Sequence, residues 1–367
     1  MRIVYLSASI IPGPEANSVQ VARMCDNFAT DHEVILVCRT GESISEERLK
    51  ARYGLKSRFR VVRCWWPAVP VLGSLIYALQ VLVFALCSKR PDVFYGRHLI
   101  SLWLVRFLGV PVIYEAHMPA GSRMARLLCR QLFRHSCFCR LVCVSEKLLS
   151  HYRRNFPSIV EENSLVAPNG ADRFEPVTSG QQFQLPDSVV GYIGSAKKEK
   201  GIDLVLGLAA KMPSQAFCVA GPSHEALLSL GYEVPDNVYL PGFLSQDEIA
   251  AILPKLTVVL APYKPVEADA ASALTDDAQW GSPLKIFEFM SAGKCIIASD
   301  IDIVRELIDS GVEGVLCPAG DIEAWAEALV ALLGNETERQ RLSDNARHRF
   351  AEKYDRAVRA RYVLEGN

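Results

Sequence analysis

Short apolar runs alternate along this chain with longer amphipathic stretches, and the alternation runs twice. In the first half, strand-like runs lie at Arg2–Ala8, His32–Cys38, Phe59–Trp66, Asp92–Tyr95, Val110–Tyr114 and Arg140–Val144, with helix-length segments between most of them. A second series starts at Ser188–Ile193 and continues through Phe217–Ala220, Val238–Leu240, Val258–Ala261 and Cys295–Ser299. Helical segments follow at Ile322–Leu333 and Glu336–Val363. Near-continuous apolar strands separated by helices predict parallel sheets covered on both faces, so the pattern reads as two doubly wound, Rossmann-like α/β domains. Composition turns polar from Glu175, and residues 175–187 read as the linker between domain 1–174 and domain 188–350. Residues 351–367 form a terminal helix.

One stretch carries more than periodicity. Ser282 suits an N-cap, Pro283 the first helical position and Gly293 the C-cap glycine, predicting a helix of about three turns. Ile286, Phe287 and Met290 fall on one face, Lys285, Glu288 and Ala292 on the other. A cation and a carboxylate near a helix start fit an anion site, and equally a solvated pair three residues apart. Arg123, Arg126, Arg130 and Arg134 form a basic stripe beside an apolar one. It fits an anionic membrane or a phosphorylated lipid acceptor, and equally the solvated face of a core helix. Pro67–Cys87 has no charged residue and the length of a membrane span. Its early prolines, and the Lys-Arg-Pro-Asp exit straight into Val93-Phe94-Tyr95, favour a buried crossover helix.

Length and composition narrow the classes. The chain has 367 residues, half of them hydrophobic, enough for two sizeable cores, and a formal net charge of −1 gives no global pull toward nucleic acid. Eleven cysteines, odd in number and scattered through apparent elements, read as reduced core thiols. With Met1–Leu6 running directly into a strand pattern, a cytoplasmic location is expected. Cys129, Cys137, Cys139 and Cys143 lack paired knuckle spacing, so zinc is not expected. The loop Ser9–Pro14 lacks the Gly-x-Gly-x-x-Gly of a dinucleotide site, and no Ser-His-Asp or Cys-His set stands out.

Ser282–Asp300, with its Leu-Lys-Ile-Phe-Glu-Phe-Met-Ser-Ala-Gly-Lys core, and Leu165–Phe174, with Pro-Asn-Gly-Ala-Asp, resemble the GT-B retaining glycosyltransferases, glycosyltransferase family 4 in particular. The resemblance implies two domains facing a cleft, the first for the acceptor and the second for a nucleotide-sugar. Glu288 resembles the second Glu of the family's Glu-x7-Glu motif, which holds the ribose; the first position is Trp280, and either Trp280 or a carboxylate of the acidic loop from Lys264 to Trp280 (Glu267, Asp269, Asp276 or Asp277) is expected to contact the donor sugar. Ser282 and the amides of Leu284 and Lys285 are expected at the diphosphate. Lys200, in Lys200-Gly201, resembles the family's phosphate-neutralising lysine. Ser195 stands where Arg is common, Lys285 replacing that charge, and Gly194 opens the same loop. Gly242 and Phe243 lie where the family packs the base. Gly13 resembles the first-loop glycine that admits donor phosphate and acceptor, and is also read as a plain turn glycine. His117, in Tyr114-Glu115-Ala116-His117, resembles the strand-end histidine that hydrogen-bonds the transferring sugar.

The implied reaction is metal-independent, retaining transfer from a nucleotide-diphosphate sugar, UDP-sugar before GDP-sugar, with no cofactor. The acceptor would be a glycan or lipid-linked glycan in surface polysaccharide synthesis, the protein being cytoplasmic or peripheral on the inner membrane face. A nucleotide-sugar 2-epimerase and a non-catalytic glycosyltransferase-like partner protein are the alternatives. An epimerase would turn over donor without acceptor.

Overall fold

A computed structural model describes residues 1–13, 15–42, 45–67, 69–177, 183–265 and 277–366. The chain divides into two compact units, Met1–Pro168 with Arg359–Asn367, and Asn169–Val358. The second division falls inside the helix Arg356–Glu365.

The first unit holds β1 (Arg2–Ile11), β2 (Glu33–Thr40), β3 (Arg60–Cys64), β4 (Val93–Gly96), β5 (Val112–Ala116), β6 (Phe138–Cys143) and β7 (Ser164–Val166). They form one seven-stranded sheet in the order β3-β2-β1-β4-β5-β6-β7, with every pair parallel. The second unit holds β8 (Val189–Ile193), β9 (Ala216–Ala220), β10 (Val238–Gly242), β11 (Val258–Ala261), β12 (Cys295–Ser299) and β13 (Val315–Cys317). Its six-stranded parallel sheet runs β10-β9-β8-β11-β12-β13. Two parallel-sheet α/β domains are therefore present, as the alternating pattern predicts. In each sheet the chain reverses winding beside its first strand, between β1 and β4 and between β8 and β11. Such switch points open crevices at the carboxyl ends of strands.

Burial explains the strand sequences. Every residue of β5, β8, β11 and β12 is buried, which is why these runs do not alternate. Tyr5, Phe28 and Tyr95 pack ring against ring in the first core. Phe217 and Trp325 anchor one side of the second sheet, Phe287 and Phe289 the other.

Four readings need correction. The central helix spans Leu284–Ser291, about two turns, and Pro283 rather than Ser282 is its N-cap. The Ser282 hydroxyl instead accepts from the Asn169 N–H at 3.1 Å, a partner no local pattern reveals. Gly293 does close that helix: with φ +60° it donates to Met290, and Lys294 donates to Phe289, a Schellman pair. Second, the helix within the uncharged segment is Pro70–Cys87, and only one face is buried, by Tyr77, Ala78, Val81 and Ala85. Among the described residues no helix is long and apolar enough to cross a membrane. Third, Glu336–Val363 is not one helix: Glu336–Arg349 runs on into a widened turn at Phe350–Tyr354, and the extended backbone of Asp355 separates these from Arg356–Glu365. Fourth, the cysteines are all free, yet Cys87 and Cys139 are exposed rather than core.

Candidate active site

In the second unit, three strand ends meet through glycine. Gly194 follows β8, Gly221 follows β9 and Gly242 ends β10. Gly194 donates to Ala220 at 3.0 Å and Gly221 to Gly242 at 2.8 Å. A Cβ on Gly221, whose φ is +129°, would lie 1.9 Å from the Gly194 carbonyl oxygen, so the backbones approach as only glycine allows. Phe243, next to Gly242, is 87% exposed. An aromatic ring so open at a strand end makes no core contribution and offers a stacking face.

The same unit carries the two candidate phosphate cations. Lys200 ends the short turn Lys198–Lys200, and its ammonium sits 5.0 Å from the centre of the Tyr263 ring. Gly201 then turns the chain at φ +69°, with its α-carbon so close to Pro262 that a Cβ would meet the Pro262 carbonyl oxygen at 1.8 Å. Burial pushes the Tyr263 phenol upward, and the Glu288 carboxylate pushes it further, which places Tyr263 within the field of the central helix. On that helix Ile286, Phe287 and Met290 are buried, while the Lys285 ammonium meets the Glu288 carboxylate at 2.7 Å. Both side chains remain partly exposed, at 27% and 29%. Among the described residues no side chain caps this helix start, and the first-turn N–H groups of a helix, here those of Leu284 and Lys285, have no acceptor within the helix itself.

The Pro-Asn-Gly-Ala-Asp segment braces the same helix. Asn169 reaches Ser282 at one end, and at the other the Ser291 hydroxyl accepts from Phe174 N–H at 2.7 Å and donates to the Asp172 carbonyl at 3.0 Å. Gly170, at φ +66°, passes so close to Tyr354 that a Cβ would lie 2.4 Å from its carbonyl oxygen. Arg173 pairs with Asp355 at 2.6 Å, and Arg356 with Asp172. Trp280 is only 7% exposed, so little of its indole can face a ligand. Glu267, Asp269 and Asp276 of the acidic loop lie outside the described residues, as does the Asp277 side chain.

In the first unit a second cluster stands at the carboxyl ends of β1, β4 and β5. Glu115 is wholly buried. One carboxylate oxygen accepts from Arg97 at 3.0 Å, Arg359 at 2.8 Å and His117 Nε2 at 2.9 Å, and the other accepts from the Tyr95 hydroxyl. Arg97 also donates to Asn17 at 2.9 Å, and Asn17 to Ser9. Burial alone would raise the Glu115 carboxyl, but Arg359 and Arg97 outweigh it and hold it well below the usual carboxylate range. For His117, burial and the nearby Arg97 charge lower its value to about 4, so the ring is neutral at neutral pH. An ionised carboxylate only accepts, so the His117 Nε2 must carry the proton and Nδ1 is left as an acceptor. Gly13 exchanges two hydrogen bonds with the Tyr53 hydroxyl, at 2.7 and 2.8 Å, and a Cβ there would lie 2.5 Å from the Ile10 carbonyl oxygen. Ser145, at the end of β6, caps the helix Glu146–Asn155 through the Leu148 N–H. Arg123, Arg126, Arg130 and Arg134 are all exposed along the helix Arg123–Phe133 and its end.

Residues 18–173 match the family described as Glycosyltransferase Family 4, and residues 179–349 the family described as Glycosyl transferases group 1. The chain belongs to the group 1 glycosyltransferases of GT-B fold. It is similar to the alpha-D-kanosaminyltransferase of Streptomyces kanamyceticus, 22% identical over 338 residues, 82% of this chain and 81% of that one. A shorter match, 31% identical over 106 residues, covers 29% of this chain and 24% of the amylovoran biosynthesis glycosyltransferase AmsK of Erwinia amylovora. Among solved structures, Anabaena HepE in complex with UDP and glucose superposes with a TM-score of 0.71 at 17% identity, covering 100% of this chain and 99% of that one.

In this glycosyltransferase, then, sequence reading brought Lys285 and Glu288 to one helix face, and the structure adds Tyr263 between that face and Lys200. It also adds Glu115, Arg97 and Arg359 behind His117. The Tyr-Glu-Ala-His run contained Glu115, and its burial could have been anticipated from the strand on which it sits. Arg359 carried no such signal, being 244 residues away.

Proposed function

We propose that this glycosyltransferase moves a sugar, with retention and without a metal, from a nucleotide-diphosphate sugar to a glycan or lipid-linked glycan acceptor of surface polysaccharide synthesis. UDP-sugar is the favoured donor and GDP-sugar the next. The observation that carries the reading is the 2.7 Å pairing of Lys285 with Glu288 on the partly exposed face of a helix whose start has no side-chain cap among the described residues. A bound diphosphate would draw Lys285 toward itself and the Leu284 and Lys285 amides, freeing Glu288 to accept from the two ribose hydroxyls. Lys200 adds a second cation, and Phe243 a face for the base. Charge building on the departing phosphate is the main electrostatic load of this transfer, and the two lysines, once the bound donor has drawn Lys285 off Glu288, meet it. The departing diphosphate takes the acceptor proton on the same face of the sugar, so no protein nucleophile is called for. His117 Nδ1 accepts from a hydroxyl of the transferring sugar. The donor preference is supported by HepE, solved with UDP and glucose, and the acceptor class by AmsK, named for amylovoran biosynthesis.

Calorimetry with UDP- and GDP-sugars against wild type and Glu288→Ala tests this. Selective binding lost in the variant is expected; equal binding by both proteins would remove the helix from the donor site. With an acceptor found, the anomeric configuration of the product by NMR decides retention. Donor turnover without acceptor would favour the epimerase.

A further inference from the structure

The outer face of the helix Pro70–Cys87 is apolar and bare. Leu72, Leu75, Leu79, Val83 and Leu86 are each between 47% and 65% exposed. Spaced 3, 4, 4 and 3 residues apart, they fall within a narrow arc and form one ridge roughly 21 Å long at about 1.5 Å per residue. Trp65, at 62%, and Val69, at 54%, continue it at the amino end. This helix packs beside Leu99–Val105, which packs beside Arg123–Phe133. Phe107, 64% exposed, lies between the last two, its ring against Trp103 and His135. Met124 and Leu127 are exposed on the basic helix itself. Contiguous apolar exposure on this scale marks an interaction surface.

Charge selects the occupant. From Trp65 to Arg134 the sequence has two acidic residues, Asp92 and Glu115. Glu115 is buried, and Asp92 accepts from the Arg2 backbone N–H at 2.6 Å. Lys89, Arg90, Arg123, Arg126, Arg130 and Arg134 are exposed. A second copy docked ridge to ridge would bring two such cationic sets together. An anionic bilayer accepts both features, apolar side chains below the headgroups and arginines at their level.

We propose that this face of the first unit docks on an anionic lipid bilayer, the Leu72–Leu86 ridge lying in the plane of the interface and the Arg123–Arg134 stripe supplying the attraction. The helix lies on the membrane rather than spanning it. The proposal stands apart from the donor chemistry, and its test uses no nucleotide-sugar.

The full chain is sedimented with vesicles of phosphatidylcholine alone and of phosphatidylcholine with phosphatidylglycerol. Binding is expected to the anionic vesicles and to fall with salt. Leu79→Glu with Val83→Glu should lower the partition roughly tenfold or more, and Arg126→Glu with Arg130→Glu should lower it and flatten the salt dependence. These positions are exposed, so circular dichroism should match wild type. As a gain-of-signal readout, the emission that Leu79→Trp adds over wild type should shift to the blue on vesicle addition and be quenched by brominated acyl chains. Absence of wild-type binding, partition unchanged in the glutamate variants, or an unshifted added emission in Leu79→Trp would each overturn the proposal. So would a concentration-dependent dimer abolished by the same glutamates, which would assign the ridge to a second copy.

Discussion

Arg359 and Glu115 meet at 2.8 Å inside the first unit, although 244 residues of chain separate them. Both are buried, at 3% and 0% side-chain exposure, and Arg359 also donates to the carbonyls of Ala167 and Pro168. Removing one partner of such a pair strands a buried charge. Arg359→Ala should therefore destabilise the first unit by about 3–5 kcal/mol. Urea unfolding followed by a probe in each unit should show the loss in the first transition alone. An unchanged midpoint would mean that Arg97 suffices for Glu115.

The same cluster gives a pH dependence. His117 protonates at about 4 in the folded chain, against an ordinary value of 6.5. The unfolded chain thus binds the proton more readily, and stability present above about 6.5 is lost as pH falls toward 4. Glu115, held low, works in the same direction at lower pH still. The histidine alone should contribute roughly 2–3 kcal/mol. Urea midpoints from pH 7 to 4 should fall for wild type, and the fall should be shallower in His117→Asn. Identical slopes would show that the imidazole does not report this environment.

Two left-handed glycines should respond unequally to alanine. Gly201 and Gly293 have φ of +69° and +60°, so an alanine at either would incur about 1–2 kcal/mol of backbone strain that glycine does not. An added Cβ at Gly293 meets the end of the Arg347 side chain, which can swing away, whereas at Gly201 it meets the Pro262 carbonyl. Gly201→Ala should cost more than Gly293→Ala by at least about 1 kcal/mol. It should also weaken nucleotide binding, since the turn carries Lys200. Thermal unfolding of the pair, with calorimetry, checks both; equal losses would refute the close approach.

Phe243→Ala separates stability from binding. The ring is 87% exposed, so unfolding should change by less than about 0.5 kcal/mol. Loss of a stacking face should cost roughly 1 kcal/mol in UDP affinity. Unaltered affinity would move the base elsewhere.

What could be read beforehand follows the range of the interaction. The parallel sheets were legible because strands buried on both faces must be apolar throughout, as in Val258–Ala261. The faces of Leu284–Ser291 were legible because a helix repeats locally. The hydroxyl of Ser282 was not, since its partner Asn169 is 113 residues away and competes with the cap. In Pro70–Cys87 an apolar sequence on every side gave no hint of which side faces out; only packing by Leu99–Val105 decides that. The Glu115 cluster needs three strand ends and a remote helix, and no window of sequence contains it.

The remote origin of Arg359 sets an order in time as well. At roughly 5–20 residues per second, on the order of 10 to 50 s separate synthesis of Glu115 from that of Arg359. Once Val166 has been made the nascent first unit has all its strand residues but still lacks the Arg359 guanidinium, and of the two arginines that pair with Glu115 it has Arg97 alone. The unit made first thus completes its buried charge cluster with a side chain made after nearly all of the other unit.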